Sequence, residues 1–518
     1  LSVLREGGNA VDAGVAVAAA LAVTYPRAGN LGGGGFMLIH DAGASRTVAV
    51  DFREKAPLGA FRDMFLDSSG NADSDLSRFS HRASGVPGTV RGLAHALEQY
   101  GSISWAEALD PAIRLAEEGF PVYGDLHDSL KTIARSTTFG AEAHSVFLDE
   151  DGNVPAVGEI LRQPELAKSL RLIAEKGPTA FYEGEIARKI VAEMEANEGL
   201  IRKEDLAAYD VVERDPVAGR YRGYDVLSMP PPSSGGVHIV QMLNILELFP
   251  VGEWGHNAAL TIHHMAEAMK LAYADRSEHL GDMDFVPVPV AGLTSEAYAD
   301  ALRKRIDSAR ATPSSDIGPG TPLPYESDQT THFSIVDRWG NAVSCTYTLN
   351  FSYGSGVMVP GTGILLNNQM DDFSAKPGVP NAYGLIGGEA NAIEPGKRVL
   401  SSMSPTILLQ DGEVYLVTGS PGGSRIITTT LQVIMNIIDH GLNPAEAEHA
   451  IRFHHQWLPD YIRIERGFNP DTRRLLELMG HEIRIGNAMG AARTILRTGG
   501  NLYGSSDPRR PAGLAAGY

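Results

Sequence analysis

Near its start the chain carries a run of small apolar residues, from Val11 to Tyr25, interrupted by Asp12 and Gly14. It is too short to span a bilayer, which takes about 20 apolar residues, and reads as a buried, Ala-rich helix. The loop Asn30-Leu31-Gly32-Gly33-Gly34-Gly35 then leads into an apolar strand at 36–40, and residues 47–53 alternate with period two, predicting a second strand. From about 85 to 210 the spacing is helical, most clearly at 110–119 and 164–176, and a second helical block covers 236–249 and 257–279. Pro- and Gly-rich chain at 287–324 precedes a dense strand region at 330–420, and 424–440 reads as a helix stopped by Gly441. Residues 1–8 look like a last helical turn ended by glycine. This order predicts α+β layers rather than a regular βαβ winding.

One hairpin can be read to the residue. Asp337-Arg338-Trp339-Gly340-Asn341 suits a three-residue loop closed by Gly340 in the left-handed conformation. Asp337 then pairs with Asn341, and Thr330 falls opposite Thr348. Thr330, His332 and Ser334 share a polar face with Thr348, Thr346 and Ser344, and Asn350 continues that face. Phe333 and Ile335 share the apolar face with Cys345 and Val343.

That register matters because Asp328-Gln329-Thr330-Thr331-His332 reads as if a new protein began at Thr330. A threonine hydroxyl is a poor nucleophile until a base sits beside it, and the nearest base is its own α-amino group. That amine exists only after the Gln329–Thr330 bond is cut. The expectation is a self-cleaving amidohydrolase with an N-terminal nucleophile; the alternative is a cross-strand threonine pair of structural value only.

Other segments offer complementary chemistry. Arg53, on the same strand face as Thr47, Ala49 and Asp51, suits bidentate capture of a carboxylate. Asn367-Asn368-Gln369-Met370-Asp371-Asp372 concentrates amides and carboxylates that could receive an ammonium, or could form a capped turn. Leu400-Ser401-Ser402-Met403-Ser404-Pro405 offers hydroxyls without a G-x-S-x-G elbow. Val417 to Ser424 runs from a strand into a helix start through Gly419, Gly422 and Gly423, whose N–H groups can converge on an anion. The segment lacks the Lys of a P-loop, so an oxyanion fits better than a phosphate.

Composition narrows the partners. The formal net charge of −19, from 63 acidic against 44 basic residues, disfavours nucleic acid and anionic membrane surfaces. A single cysteine, Cys345, excludes an internal disulfide and cysteine-rich zinc modules, and its position on the apolar face predicts burial. His263-His264, followed by Glu267 and His279, and His454-His455 lack H-E-x-x-H spacing, so neither a metal nor a cofactor is expected. No targeting segment is read at Leu1.

Taken in order, residues 7–13, 30–36, 51–54, 230–236, 329–334, 367–373, 400–405 and 418–425 closely resemble the bacterial γ-glutamyltransferase (γ-glutamyl transpeptidase) family. The resemblance implies a four-layer αββα N-terminal-nucleophile fold, with residues 1–329 and 330–518 becoming the large and small subunits of one intertwined domain after autocatalytic cleavage of a zymogen. It implies that Thr330 is nucleophile and base, supported by Thr348, with Gly422 and Gly423 as the oxyanion hole. Arg53, Ser401 and Ser402 would hold the α-carboxylate of the glutamyl group, and Asn350, Gln369 and Asp372 its α-ammonium. Tyr383 would belong to a lid loop at 376–388. The implied activity is cleavage of γ-glutamyl amides such as glutathione through a γ-glutamyl-threonine acyl-enzyme, with transfer to water or to an amino-acid or peptide amine. A periplasmic or secreted location is implied too. The competing readings are a glutaryl acylase of the cephalosporin type, against which Asp372 argues because a glutaryl group has no ammonium, and a cleavage-dead binding protein.

Overall fold

The computed structural model describes residues 1–136, 138–319, 330–376 and 388–518. Two sheets form its centre. Their strands are β1 (Gly34–Asp41), β2 (Arg46–Phe52), β3 (Val212–Arg214), β4 (Val217–Tyr221), β5 (Tyr224–Ser228), β6 (Thr331–Val336), β7 (Ala342–Thr348), β8 (Thr406–Gln410), β9 (Glu413–Thr418), β10 (Arg493–Thr498) and β11 (Asn501–Ser506). The first sheet runs β3-β2-β1-β7-β6 and the second β11-β10-β9-β8-β5-β4. Each sheet therefore mixes strands from before and after residue 330.

Side-chain alternation along the strands builds the layers. Phe36 and Leu38 of β1 and Ala49 of β2 point between the sheets, where they meet Ile407, Val414 and Val417 of the second sheet. Met37, Ile39, Val48 and Val50 point the other way, onto Val11, Val15 and Ala18 of helix α1 (Ala10–Thr24). The outer face of the second sheet, through Val217, Val226, Leu408 and Leu416, is covered by α2 (Gly235–Leu246), α3 (Ala259–His279) and α4 (Arg425–Ile438). The result is the four-layer αββα arrangement expected, with the interior packed between the sheets.

The hairpin forms in the register read from sequence, with Thr331 opposite Tyr347 and Val336 opposite Ala342. Gly340 has φ +90° and its amide donates to the Asp337 carbonyl at 3.2 Å. The turn also ties the two halves of the chain, because Asp337 Oδ2 accepts from the Ala10 amide at 3.0 Å, at the N-terminus of α1. β1 can run between β2 and β7 only as glycine at its start: a Cβ on Gly34 would sit 2.6 Å from the Phe52 carbonyl oxygen and one on Gly35 2.5 Å from the Thr346 carbonyl oxygen.

Two element expectations need correction. The Pro- and Gly-rich stretch contains helices Val290–Leu293 and Glu296–Arg303, the second capped by the Ser295 hydroxyl on the Tyr298 amide. The strand region is also less dense than its composition suggested. Between Thr348 and Thr406 the described chain is mostly turns, 3-10 segments such as Gln369–Asp372, and the two-residue strands Met358–Val359 and Ile364–Leu365. There the apolar residues pack against helices from before residue 330 rather than alternate across a sheet.

Candidate active site

The ends of β2, β6 and β7 open at one edge of the sheets. There Arg53, Thr330, Thr348, Asn350, Gln369, Asp372, Ser401, Ser402, Met403 and Ile426 line a small cleft. Eight of these ten are residues singled out from sequence. Thr330 immediately precedes β6 and is 7% exposed. Thr348 ends β7, and its hydroxyl oxygen accepts the Asn350 amide at 2.8 Å. Asn350 turns through φ +75°, a left-handed conformation that asparagine tolerates better than most residues, and its side-chain amide donates to the Asn368 carbonyl at 3.0 Å.

Arg53 emerges from the end of β2 on the inter-sheet face, 1% exposed. Its guanidinium donates to Asp372 Oδ2 at 2.8 Å, to the carbonyls of Leu400 at 3.0 Å and Val399 at 3.2 Å, and lies 3.4 Å from Glu54 Oε2. Gln369 also donates to Asp372 Oδ2. A buried cation and a buried carboxylate thus face the cleft as a direct pair. A ligand with both an anionic and a cationic group exchanges that one pair for two, so a zwitterion enters at less cost than a lone ion.

Ser401 and Ser402 lie on the segment after Leu400. Ser401 bridges in parallel with Ser233, its amide donating to the Pro232 carbonyl at 2.7 Å, and its hydroxyl oxygen accepts the Met403 amide at 3.2 Å. Gly422 and Gly423 have φ +135° and +59°, a region open mainly to glycine. They join β9 to α4, with the Arg425 and Ile426 amides donating back to their carbonyls. They are not themselves lining residues of the cleft; Ile426, in the first turn of α4, is.

Beneath the floor His332 is fully buried, its Nδ1 2.8 Å from Thr346 Oγ1 and its Nε2 3.1 Å from Ser334 Oγ. Ser334 donates its own proton to the Arg493 carbonyl, so His332 Nε2 carries hydrogen and Nδ1 accepts from Thr346. Burial pushes its pKa down to about 3, keeping the ring neutral. The polar face of the hairpin is thus internally satisfied below Thr330.

Four observations were not read from sequence. Met403 and Ile426 supply an apolar wall, which nothing in their local pattern signals. Glu54, beside Arg53, is pushed up to about 7, chiefly by burial, and its Oε1 has no hydrogen-bond partner among the described residues. Asp371, beside Asp372, is raised to about 6 by burial although Ser77 donates to it. Adjacency to the candidate residues was the available signal for both carboxyls. Tyr383 and Gln329 lie outside the described residues.

The histidine clusters stand apart from the cleft. His263 and Glu267 come together with His481, their ligand-type atoms within 4.8 Å of one another. Those atoms are engaged: His263 Nδ1 with His481 Nε2 at 2.8 Å, His263 Nε2 with the Asp307 carbonyl at 2.7 Å, and Glu267 Oε1 with the Lys270 ammonium at 2.9 Å. A metal would have to displace that ammonium, so the trio fits a polar network better than a metal site. Cys345 is buried, and burial raises its thiol pKa.

Comparison with known proteins places this geometry among relatives. A family model described as Gamma-glutamyltranspeptidase matches residues 1–517. The glutathione hydrolase proenzyme of Escherichia coli K12 is 58% identical over 519 residues, covering 100% of this chain and 89% of that protein. Among solved structures, a cephalosporin acylase from Bacillus halodurans superposes with a TM-score of 0.86 at 31% identity, covering 98% of this chain and 91% of that one. The γ-glutamyltranspeptidase of Helicobacter pylori superposes with a TM-score of 0.61 at 46% identity, covering 62% of this chain and 91% of that one.

Proposed function

Because the chain belongs to the γ-glutamyltranspeptidase family, we propose a specific division of labour among its cleft residues in that family's reaction. The activity itself is γ-glutamyl transfer and glutathione hydrolysis by an autoprocessed zymogen with an N-terminal threonine nucleophile. The observation that carries the site reading is that Thr330 and the Arg53–Asp372 pair line one cleft.

In the uncut chain the Thr330 hydroxyl attacks the carbonyl carbon of Gln329, the peptide C–N bond breaks, and the resulting ester is hydrolysed. Residues 1–329 become the large subunit and 330–518 the small one. The freed α-amine, with an ordinary pKa of about 7.7 to 8.0, then serves as base near neutral pH. It takes the hydroxyl proton as Oγ attacks the γ-carbonyl of the donor. Thr348 holds the hydroxyl, and the Gly422 and Gly423 amides receive the oxyanion. The proton passes to the leaving amine and an ester to Thr330 remains. Water or an acceptor amine then takes the glutamyl group, so the kinetics are ping-pong. Arg53, Ser401 and Ser402 receive the α-carboxylate, while Asp372, Gln369 and Asn350 receive the α-ammonium. Holding both ends aims the γ-carbonyl at Thr330.

The overlap with a cephalosporin acylase supports a second reading, a glutaryl acylase. Asp372 separates the two, since a glutaryl group brings no cation to replace Arg53 at that carboxylate. Hydrolysis of γ-glutamyl and glutaryl anilides tests it: the γ-glutamyl compound is the better substrate, and a glutaryl preference would sink the assignment. No described helix is long and apolar enough to cross a membrane. Amino acids and short peptides are the proposed acceptors, and the periplasm or exterior the proposed location, which cell fractionation tests.

A further inference from the structure

Behind the two serines, on α3, lies a second buried guanidinium. Arg276 is 1% exposed. Its Nε donates to Ser234 Oγ at 2.9 Å, and its Nη2 lies 3.5 Å from Ser402 Oγ. Ser234 in turn donates through Oγ to the Ser401 carbonyl at 3.0 Å and through its amide to the same oxygen at 2.7 Å. One cation therefore reaches Ser402 directly and Ser401 through one hydroxyl.

The direction of these bonds matters. Ser401 Oγ accepts the Met403 amide, and Ser402 Oγ faces the Arg276 donor. Each oxygen meets one donor, which leaves each O–H to donate elsewhere, and both serines line the cleft. Two hydroxyls fixed as donors suit an anion. The charge itself matters as well, because the chain carries a net −19 and an anionic ligand is disfavoured by that overall field. Arg53 in the cleft and Arg276 behind it place two guanidinium groups near the serines.

We propose that Arg276 is a positioning residue for recognition of the donor's α-carboxylate, acting through Ser402 and, by way of Ser234, through Ser401. This rests on the reading of Ser401 and Ser402 as the carboxylate's partners. Its consequence is specific: Arg276 governs discrimination between donors with and without that charge, rather than the acyl-transfer step.

The test compares kcat/KM for a γ-glutamyl anilide and for the same anilide with its α-carboxylate converted to carboxamide. In Arg276→Lys and Arg276→Met the preference for the carboxylate donor falls at least tenfold, mainly through a higher KM. In a Ser402→Ala background Arg276→Lys adds less than threefold. A role limited to packing α3 lowers both donors alike and leaves the ratio intact, and that result overturns the proposal. If Arg276→Met does not fold, Arg276→Lys and Ser234→Ala, which keeps the charge and breaks the bridge to Ser401, carry the same comparison. If Ser402→Ala itself leaves the ratio unchanged, the reading of the serines fails; if it collapses the ratio and the Arg276 variants do not, only the present inference fails.

Discussion

Removing both members of the Arg53–Asp372 pair should destabilise the protein by less than the two single removals added together. The side chains are 1% and 3% exposed and meet at 2.8 Å. Asp372→Asn keeps the shape but leaves the Arg53 guanidinium with Glu54, 3.4 Å away, as its remaining carboxylate partner in that contact set. Arg53→Met leaves the Asp372 carboxylate buried and strips the Leu400 and Val399 carbonyls of a donor. Breaking a buried pair from one side typically costs about 3–5 kcal/mol. The double variant removes both charges and should cost about 3 kcal/mol less than the sum of the singles. For 518 residues, at roughly 2.1 cal/mol/K per residue, each kcal/mol moves the thermal midpoint by about 1 °C. Scanning calorimetry in a Thr330→Ala background, where cleavage does not change the species melted, should show each single lowered by about 3–5 °C and the double lowered by about 3 °C less than their sum. With Thr330 intact, γ-glutamyl anilide hydrolysis should be lost in all three variants, so stability and activity separate. Strict additivity in the melts would refute the claim that the two charges stabilise each other, and activity returning with stability would refute their role in binding.

Gly419→Ala places a Cβ 2.5 Å from the His332 ring, which two hydrogen bonds hold in place; overpacking of about 1–3 kcal/mol is expected, with kcat falling as the Gly422 loop shifts, and an unchanged kcat would contradict it. Because both sheets mix strands from the two sides of residue 330, the cleaved fragments should co-elute in gel filtration as one particle while separating under denaturing conditions. Burial raises the Glu54 pKa from 4.5 to about 7, so the folded state holds a proton that the unfolded chain releases. Its contribution to stability is present below about pH 4.5 and lost as pH rises through 7. In Glu54→Gln the thermal midpoint should fall less steeply than in the wild type between those values, and parallel curves would refute the assignment.

Much of this site was legible because its residues sit on regular elements or in glycine-marked turns. The hairpin register followed from Gly340 and from the separation of Thr330, His332 and Ser334 from Phe333 and Ile335, and every pair of the β6–β7 ladder agrees with it. The face on which Arg53 lies followed from period-two alternation in β2, while its role in the site came from the family resemblance. What escaped depends on contacts between distant segments. The helix at Glu296–Arg303 hid in a stretch whose prolines and glycines suggested loop. The apolar run around Ile364 was read as sheet although its packing partners are helical residues such as Leu166. Arg276 lies 126 positions from Ser402 along the chain, and nothing in the α3 sequence distinguishes it from a surface arginine. Gln329 and Tyr383 lie outside the described residues.

The central claim is that one hydroxyl, that of Thr330, first cuts the chain and then carries the glutamyl group. N-terminal sequencing of the fragments from wild type and Thr330→Ala tests it most directly. The wild type should yield a small fragment beginning Thr330-Thr331-His332 and the variant a single uncut chain; a variant that still cleaves at this bond, or a wild-type fragment beginning elsewhere, would contradict the account.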